Sequence, residues 1–474
     1  MAGAVLSRDA GSRSPVAAPH LSLAIVSAAT ALALIVFTVP LTTLGPTAEA
    51  LALGPGAEAW LLSAMPLGAA TGLLGSAALG DDHGRTLVFL WGLGVMAAAS
   101  VIGALAPSGL VIIAARVGQG LGGAAVMACG LGLVGRLYPE GRARATATGV
   151  WAAGLGAGVA TGPILAALAT DLGGWPAAYW GTAILSLALL LAGRGLLPPA
   201  EARRPQPADR LGTILLMAGL AMLMSALTEM RFGLASPTVV GLLGGGAAAL
   251  AAFVFVELRH PRPILDLSLF RGAAFCAATW AAFASGAGIL ALMTMVPTLL
   301  MRAMGASALS AAIIMTAWSA TSIVTALGAR WVPEALTPRR LMIGALLACA
   351  LAQMLLFGVS AERAALLLPG LFLAGAANGI LNAALGRQAV ATVPPDRSAM
   401  GSGANNTARY LGSAIGITLG AILMAHGSET GGIAGLLDGW NAIVLITTGF
   451  SVLGALVVGI ARNGTRPIAT QERP

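Results

Sequence analysis

Fourteen apolar runs, each long enough to cross a bilayer as a helix, leave this chain few ways to fold. They fall at about 21–46, 59–79, 86–106, 110–133, 145–169, 177–196, 211–229, 238–256, 273–300, 307–328, 341–359, 365–385, 400–424 and 440–461 of 474 residues. A hydrocarbon core of roughly 30 Å needs about 20 predominantly apolar residues in helical form, and the helix satisfies its own backbone there. The expected fold is therefore all-α and integral to the membrane, with 14 transmembrane helices. Hydrophobic residues at 57%, charged residues at 9% and a mean hydropathy of +0.88 place the chain far from a soluble domain.

The charged residues orient the helices. All 26 basic side chains are arginine, and they lie in short connections between apolar runs. With the N-terminus inside, the inner loops and both tails hold 21 arginines, whereas the outer loops hold only Arg231, Arg302 and Arg363. A missed helix would scramble that division, so it supports the count as well as cytoplasmic termini and a multi-pass cell-membrane location. The net charge of +8 is accounted for by topology, and nucleic acid is not an expected partner. The run from Leu21 to Leu44, about 24 residues, is too long for a signal-peptide core and reads as a retained first span. Cys129, Cys276 and Cys349 lie singly in apolar runs and read as small hydrophobes. The four histidines are scattered, so neither metal nor cofactor is expected. Asp81-Asp82-His83 is not a metal cluster by expectation, because neighbours on one turn rarely converge on one ion.

The longest inner connections, Leu197 to Arg210 and Arg259 to Arg271, bracket two helices. This predicts six plus two plus six: a tail over 1–20, a bundle over 21–196, a two-helix insert with its linkers over 197–271, a second bundle over 272–461 and a tail over 462–474. Gly154, Gly158 and Gly162 in the first half match Gly412, Gly416 and Gly420 in the second, ladders that let helices approach closely in lipid.

Two arginines, Arg116 and Arg409, lie within spans. A guanidinium there is costly unless it faces a cavity or a partner. Arg116 sits in the apolar run Leu110 to Leu133, and its alternative is to pack against carbonyls or to snorkel outward. Arg409 lies about eleven residues from the inner end of its run, about 16 Å along a helix. No acid occupies the middle of any run; Glu229 and Glu257 lie at run ends, and Glu49, Glu58 and Asp171 in expected outer loops. The expected site is thus positive, with Gln119, Thr38, Thr42, Thr43, Asn378, Asn382, Asn405 and Asn406 as its other polar groups. Each of these can instead bond its own helix one turn back.

Particular motifs sharpen the reading. The turn after the second span carries Leu79, Asp81, Gly84 and Arg85, which resemble the Gly-x-Leu-Ala-Asp-Arg-x-Gly-Arg-Arg signature of the major facilitator superfamily. Arg116, Gln119, Gly120 and Gly122 are similar to its fourth-helix Arg-x-x-Gln-Gly-x-Gly. Gly158 to Pro163 resembles the antiporter signature of the fifth helix, and Trp60, Pro261 to Arg271, and Gly403 to Arg409 are similar to the fourteen-helix drug:proton antiporter branch. The resemblance spans nearly the whole chain. It implies a major facilitator fold and proton-coupled export of drug-like or secondary-metabolite amphipaths by a monomer. It also assigns gating to Leu79, Asp81, Gly84 and Arg85, and helix packing to Gly154, Gly158, Gly162 and Pro163. Substrate binding or coupling falls to Arg116, Gln119, Arg409, Thr42, Asn405 and Asn378.

The departures bear on coupling. Ala77, Asp82 and Thr86 replace signature residues of the loop, and Ala166 and Ala167 stand where the fifth-helix signature has glycines. The aspartate usual in the first helix is absent, with Phe37 at its place, so Arg116 lacks the usual partner. The positive site favours neutral or anionic substrates. Alternatives are an uptake or facilitated-diffusion carrier for a nutrient or organic anion, and a membrane enzyme or sensor on a transporter-like scaffold. The inner loops, only about a dozen residues long, favour neither an enzyme nor a sensor.

Overall fold

The computed structural model of the chain describes residues 19–138, 142–199, 209–230, 233, 236–260, 263, 265, 267–329, 336–360, 366–393 and 398–461. Its helices are α1 Pro19–Thr38, α2 Pro40–Ala50, α3 Pro55–His83, α4 Arg85–Ala104, α5 Gly109–Leu137, α6 Arg142–Gly173 and α7 Trp175–Leu196, then α8 Arg210–Glu229 and α9 Pro237–Glu257. The second half holds α10 Ala273–Ser285, α11 Ala291–Met304, α12 Ala308–Gly328, α13 Pro338–Met354, α14 Leu367–Ala391 and α15 Ser398–Ile460. Where an apolar run begins after Asp209, Ser236, Ser307 or Thr337, that side chain accepts the amide hydrogen three residues on and starts the helix.

Twelve helices among the described residues are long and apolar enough to span a membrane. One of them, of 61 residues, would reach about 90 Å if straight. It is two spans merged at Gly432, whose φ of 59° and ψ of −133° interrupt the helix. With that division and the 17-residue α13, fourteen spans stand where fourteen runs were expected. The helices overrun several runs: Glu49 lies in α2, Glu58 in the first turn of α3 and Asp171 in α6, rather than in outer loops. Asp81, Asp82 and His83 likewise close α3 instead of forming a loop. The link to α4 is Gly84 alone, at a φ of 95° that suits glycine.

The first and ninth spans are both interrupted. Pro40 has no N–H to give to the carbonyl of Val36, four residues back, so the first span divides into α1 and α2. The ninth carries a π turn at Gly286–Leu290 between α10 and α11.

In the first bundle α5 packs against α3 and α4, and α6 against α1. A Cβ on Gly154, Gly158 or Gly162 would collide with Ser27, Ala31 or Thr38 of α1, so the glycine ladder is where two backbones touch. The second bundle repeats the arrangement: a Cβ on Gly412 would strike the Phe283 carbonyl of α10, and one on Gly416 would lie 2.6 Å from the Ala287 carbonyl. The bundles meet along two seams, α3 against α15 and α6 against α12. The α8–α9 insert lies over the first seam. Leu216 and Leu220 of α8 cluster with Leu74 of α3 and Ala404 of α15, while Trp60 Nε1 donates to Glu229 Oε1 at 2.5 Å and Ser63 and Thr228 share a bond of 3.2 Å.

Candidate functional site

Between the bundles lies a cavity of about 1690 Å³. Its wall reaches the helix ends that carry Arg85, Arg136, Arg144 and Arg387, and extends inward to Phe37, Leu41 and Pro163 on one side and Leu290, Met293, Met315 and Trp318 on the other. The far end is closed. There α2 packs against α3, α6, α11 and α12, and Glu58 Oε2 of α3 accepts from Arg302 Nη2 of α11 at 2.9 Å. That ion pair joins the two bundles.

Arg409 faces the cavity from α15, half-buried. Its Nη1 donates to Asn382 Oδ1 of α14 at 3.1 Å and its Nη2 to Asn406 Oδ1 at 2.8 Å, while Nε has no partner. The Tyr410 ring lies 5.6 Å from the guanidinium carbon, and Tyr410 stands 6.0 Å from Phe37 of the first bundle, centroid to centroid. Asn378 lines the same wall and donates to Ser322 Oγ at 3.1 Å; Asn405 lines it while its Nδ2 donates to the Ala278 carbonyl at 3.2 Å. Trp318, also in the wall, is buried with its indole N–H unpaired.

Arg116 is placed otherwise. It is fully buried in the first bundle and is not part of the cavity wall. Its Nη1 donates to the Val36 carbonyl at 2.6 Å and to Gln119 Oε1 at 2.9 Å, and its Nη2 to the Phe37 carbonyl at 3.3 Å. Gln119 Nε2 in turn donates to Ser100 Oγ of α4. The orphan carbonyl left by Pro40 thus receives the guanidinium, which serves as a staple on the α1–α2 break. This corrects the expectation that Arg116 and Gln119 face the cavity: neither lines its wall, and Arg116 Nη1 and Nη2 and Gln119 Nε2 bond the helix break, the Gln119 side chain and α4, leaving only Arg116 Nε unpartnered. Thr42 is also outside the wall, because its hydroxyl donates to the Pro163 carbonyl at 3.2 Å and ties α2 to α6. Thr38 and Thr43 bond carbonyls one turn back in their own segment.

Of the turn residues, Gly84 and Arg85 line the cavity mouth, Leu79 is exposed on α3, and the Asp81 side chain lies outside the described residues. Arg85 lies over α5, where a Cβ on Gly132 would meet its Nη1 at 2.5 Å. Sequence reasoning missed two features. In the sequence Arg302 reads only as an outer-loop charge, although Glu58, of opposite sign, lies in another expected outer loop. Trp318 carried no signal beyond an aromatic in an apolar run.

Two bundles around one cavity, with paired glycine ladders and an interrupted first span in each half, describe a known architecture. The family model described as Major Facilitator Superfamily matches residues 21–290 and 278–474. The chain belongs to that superfamily. Among solved structures, a bacterial homologue of the human lysosomal transporter Spinster, captured inward-facing and unoccupied, covers 94% of this chain and 99% of its own at a TM-score of 0.64 and 17% identity, which establishes the shared fold. Among curated relatives, the multidrug resistance protein Stp of Mycobacterium tuberculosis is 29% identical over 78% of this chain and 70% of its own. The multidrug efflux pump LfrA of Mycolicibacterium smegmatis is 27% identical over 77% and 73%, and the puromycin resistance protein pur8 of Streptomyces alboniger 27% over 85% and 83%. The chain is accordingly a multi-pass membrane transporter, and its likeness to the drug-efflux members extends over most of its length.

Proposed function

We propose that this transporter exports drug-like or secondary-metabolite amphipaths by alternating access, with inward proton flow as the driving force. The observation that carries the reading is the cavity between the bundles: about 1690 Å³, apolar over much of its wall, with amides and one half-buried arginine at depth. Such a volume admits drug-sized molecules, and the few polar groups orient them. The names of the relatives supply the direction and the substrate class. With the arginine-rich face taken as cytoplasmic, both termini lie inside the cell and the cavity faces the cytoplasm of the cell membrane. The working unit proposed is a monomer, as expected for this architecture of two bundles around one cavity. The wall carries five arginines and no acid among the described residues, so its substrates are neutral or anionic. Leu79, Asp81, Gly84 and Arg85 gate the cytoplasmic mouth, whereas Arg116, Gln119 and Thr42 act on α1 and α2.

Reconstituted into liposomes with an internal pH dye, the protein moves protons only when substrate is present. Proton movement indifferent to substrate would exclude coupling. Asp81→Asn slows transport and spares binding if the gating assignment holds. A second reading, facilitated diffusion of an organic anion, draws support from the same lack of a described acid in the wall, and substrate flux without proton flux would favour it.

A further inference from the structure

Among the described residues five arginines line the cavity, but four of them, Arg85, Arg136, Arg144 and Arg387, stand at its mouth. Arg409 alone is deep, about 16 Å along α15 from Ser398. Among the described residues it forms no ion pair. Its two bonded acceptors, Asn382 Oδ1 and Asn406 Oδ1, are neutral, and its Nε has no partner. Amide oxygens align the guanidinium without cancelling its charge, and an uncompensated cation at membrane depth is costly. Arg116 gives both terminal nitrogens to the carbonyls of Val36 and Phe37 and to Gln119 and is sealed away from the cavity, with only its Nε unpartnered, while Arg302 has Glu58. The deep arginine is thus held in place but left electrically open, beside an apolar wall of Phe37, Leu290, Met293, Met315 and Trp318.

We propose that Arg409, held by Asn382 and Asn406, is the seat for the acidic group of an amphipathic monoanion whose apolar body lies along that wall. The seat takes a carboxylate, phenolate or sulfonate, since each offers a charged oxygen to a guanidinium that has only neutral partners. A permanent cation is repelled there, and a neutral ester keeps a hydrogen bond from the guanidinium but loses the ion pair. Asn382 and Asn406 are positioning residues: they fix the plane of the guanidinium and do not supply the charge. Because Tyr410 follows Arg409 and packs near Phe37 of the other bundle, an acid bound at Arg409 sits against a contact that both bundles share. The inference rests on the export reading for the identity of the cavity as the substrate path.

The test uses full-length protein in lipid nanodiscs and three probes with one fluorescent body: 11-(dansylamino)undecanoic acid, its methyl ester, and a dansylamino-alkyl trimethylammonium. Binding is read by dansyl anisotropy, and movement of the same probes by uptake into inside-out vesicles. The acid binds about 10- to 100-fold more tightly than the ester or the cation, the range expected for one charge-assisted contact. Arg409→Gln and Arg409→Ala bring the acid down to the level of the ester and weaken the ester far less than the acid, while Arg409→Lys restores part of the preference. Monodispersity and helical circular dichroism of each variant report folding; should Arg409→Ala fail to fold, Arg409→Gln and Arg409→Lys decide the matter. Equal affinity for acid and ester, or an acid preference that survives Arg409→Gln, overturns the seat. The export reading fails separately: acid bound through Arg409 but not moved sinks export and leaves the seat, whereas Arg409-independent movement of the cation sinks the seat and leaves export.

Discussion

Two arginines within spans met opposite fates, and backbone chemistry explains the difference. Arg116 lies opposite the carbonyl that Pro40 leaves without an amide partner, and a buried carbonyl without a donor costs about 1–3 kcal/mol. Arg409 lies opposite asparagine side chains, which bond it and leave its charge to the cavity. Arg116→Ala is therefore expected to lower the melting temperature in detergent and to impair transport, while affinity for a cavity ligand shifts less than threefold. A loss of binding as large as that from Arg409→Gln would place Arg116 back in the substrate path. The presence of both arginines in spans, and of Asn405 and Asn406 within one turn of Arg409, is readable from spacing alone, whereas the bond from Arg409 to Asn382 of α14 is not. Neither is the staple, because it depends on which helix faces α5 at the height of Pro40, a tertiary fact that no periodicity records. The proline and the arginine were each visible, and their relation was not.

Among the helices, the glycine ladders make the sharpest claim. Gly158 approaches the Ala31 carbonyl of α1 so closely that even a methyl group collides, and Gly412 stands in the same relation to Phe283 of α10. Separating α6 from α1 in lipid meets no hydrophobic restoring force, so the cost falls on packing. Gly158→Leu should yield protein that inserts and is recovered from membranes but does not transport. Gly412→Leu should do the same in the other half; normal transport by either variant would turn that face toward lipid. The ladders could be read as close-approach faces from their four-residue spacing. Their partners could not, since any neighbouring helix would have satisfied the pattern. Helix ends were read least well: apolar runs stop where side chains become polar, whereas α2, α3 and α6 continue to Glu49, Glu58 and Asp171, past the last apolar turn.

The two halves of the molecule are joined at the closed end by Glu58 and Arg302, with side chains 24% and 51% exposed. A partly exposed pair of this kind is worth roughly 0.2–1 kcal/mol, enough to shift a two-state balance by up to about fivefold. Glu58→Gln should consequently change the transport rate by no more than a few fold and leave ligand affinity intact. Glu58→Cys with Arg302→Cys, bridged by a short bifunctional maleimide, should instead stop transport by holding that end shut. Continued transport in the bridged protein would mean that this end need not part. The insert alters the same balance from outside. In a bilayer each seam between the halves presents a flank to the surrounding lipid. Along α3 and α15 that flank is occupied by α8, anchored through Trp60 and Glu229. Along α6 and α12, where Gly156 meets Ile323, no described helix covers the flank. Among the described residues, then, one flank is braced by a helix outside the two halves, while the other rests on the halves' own contact of α6 with α12.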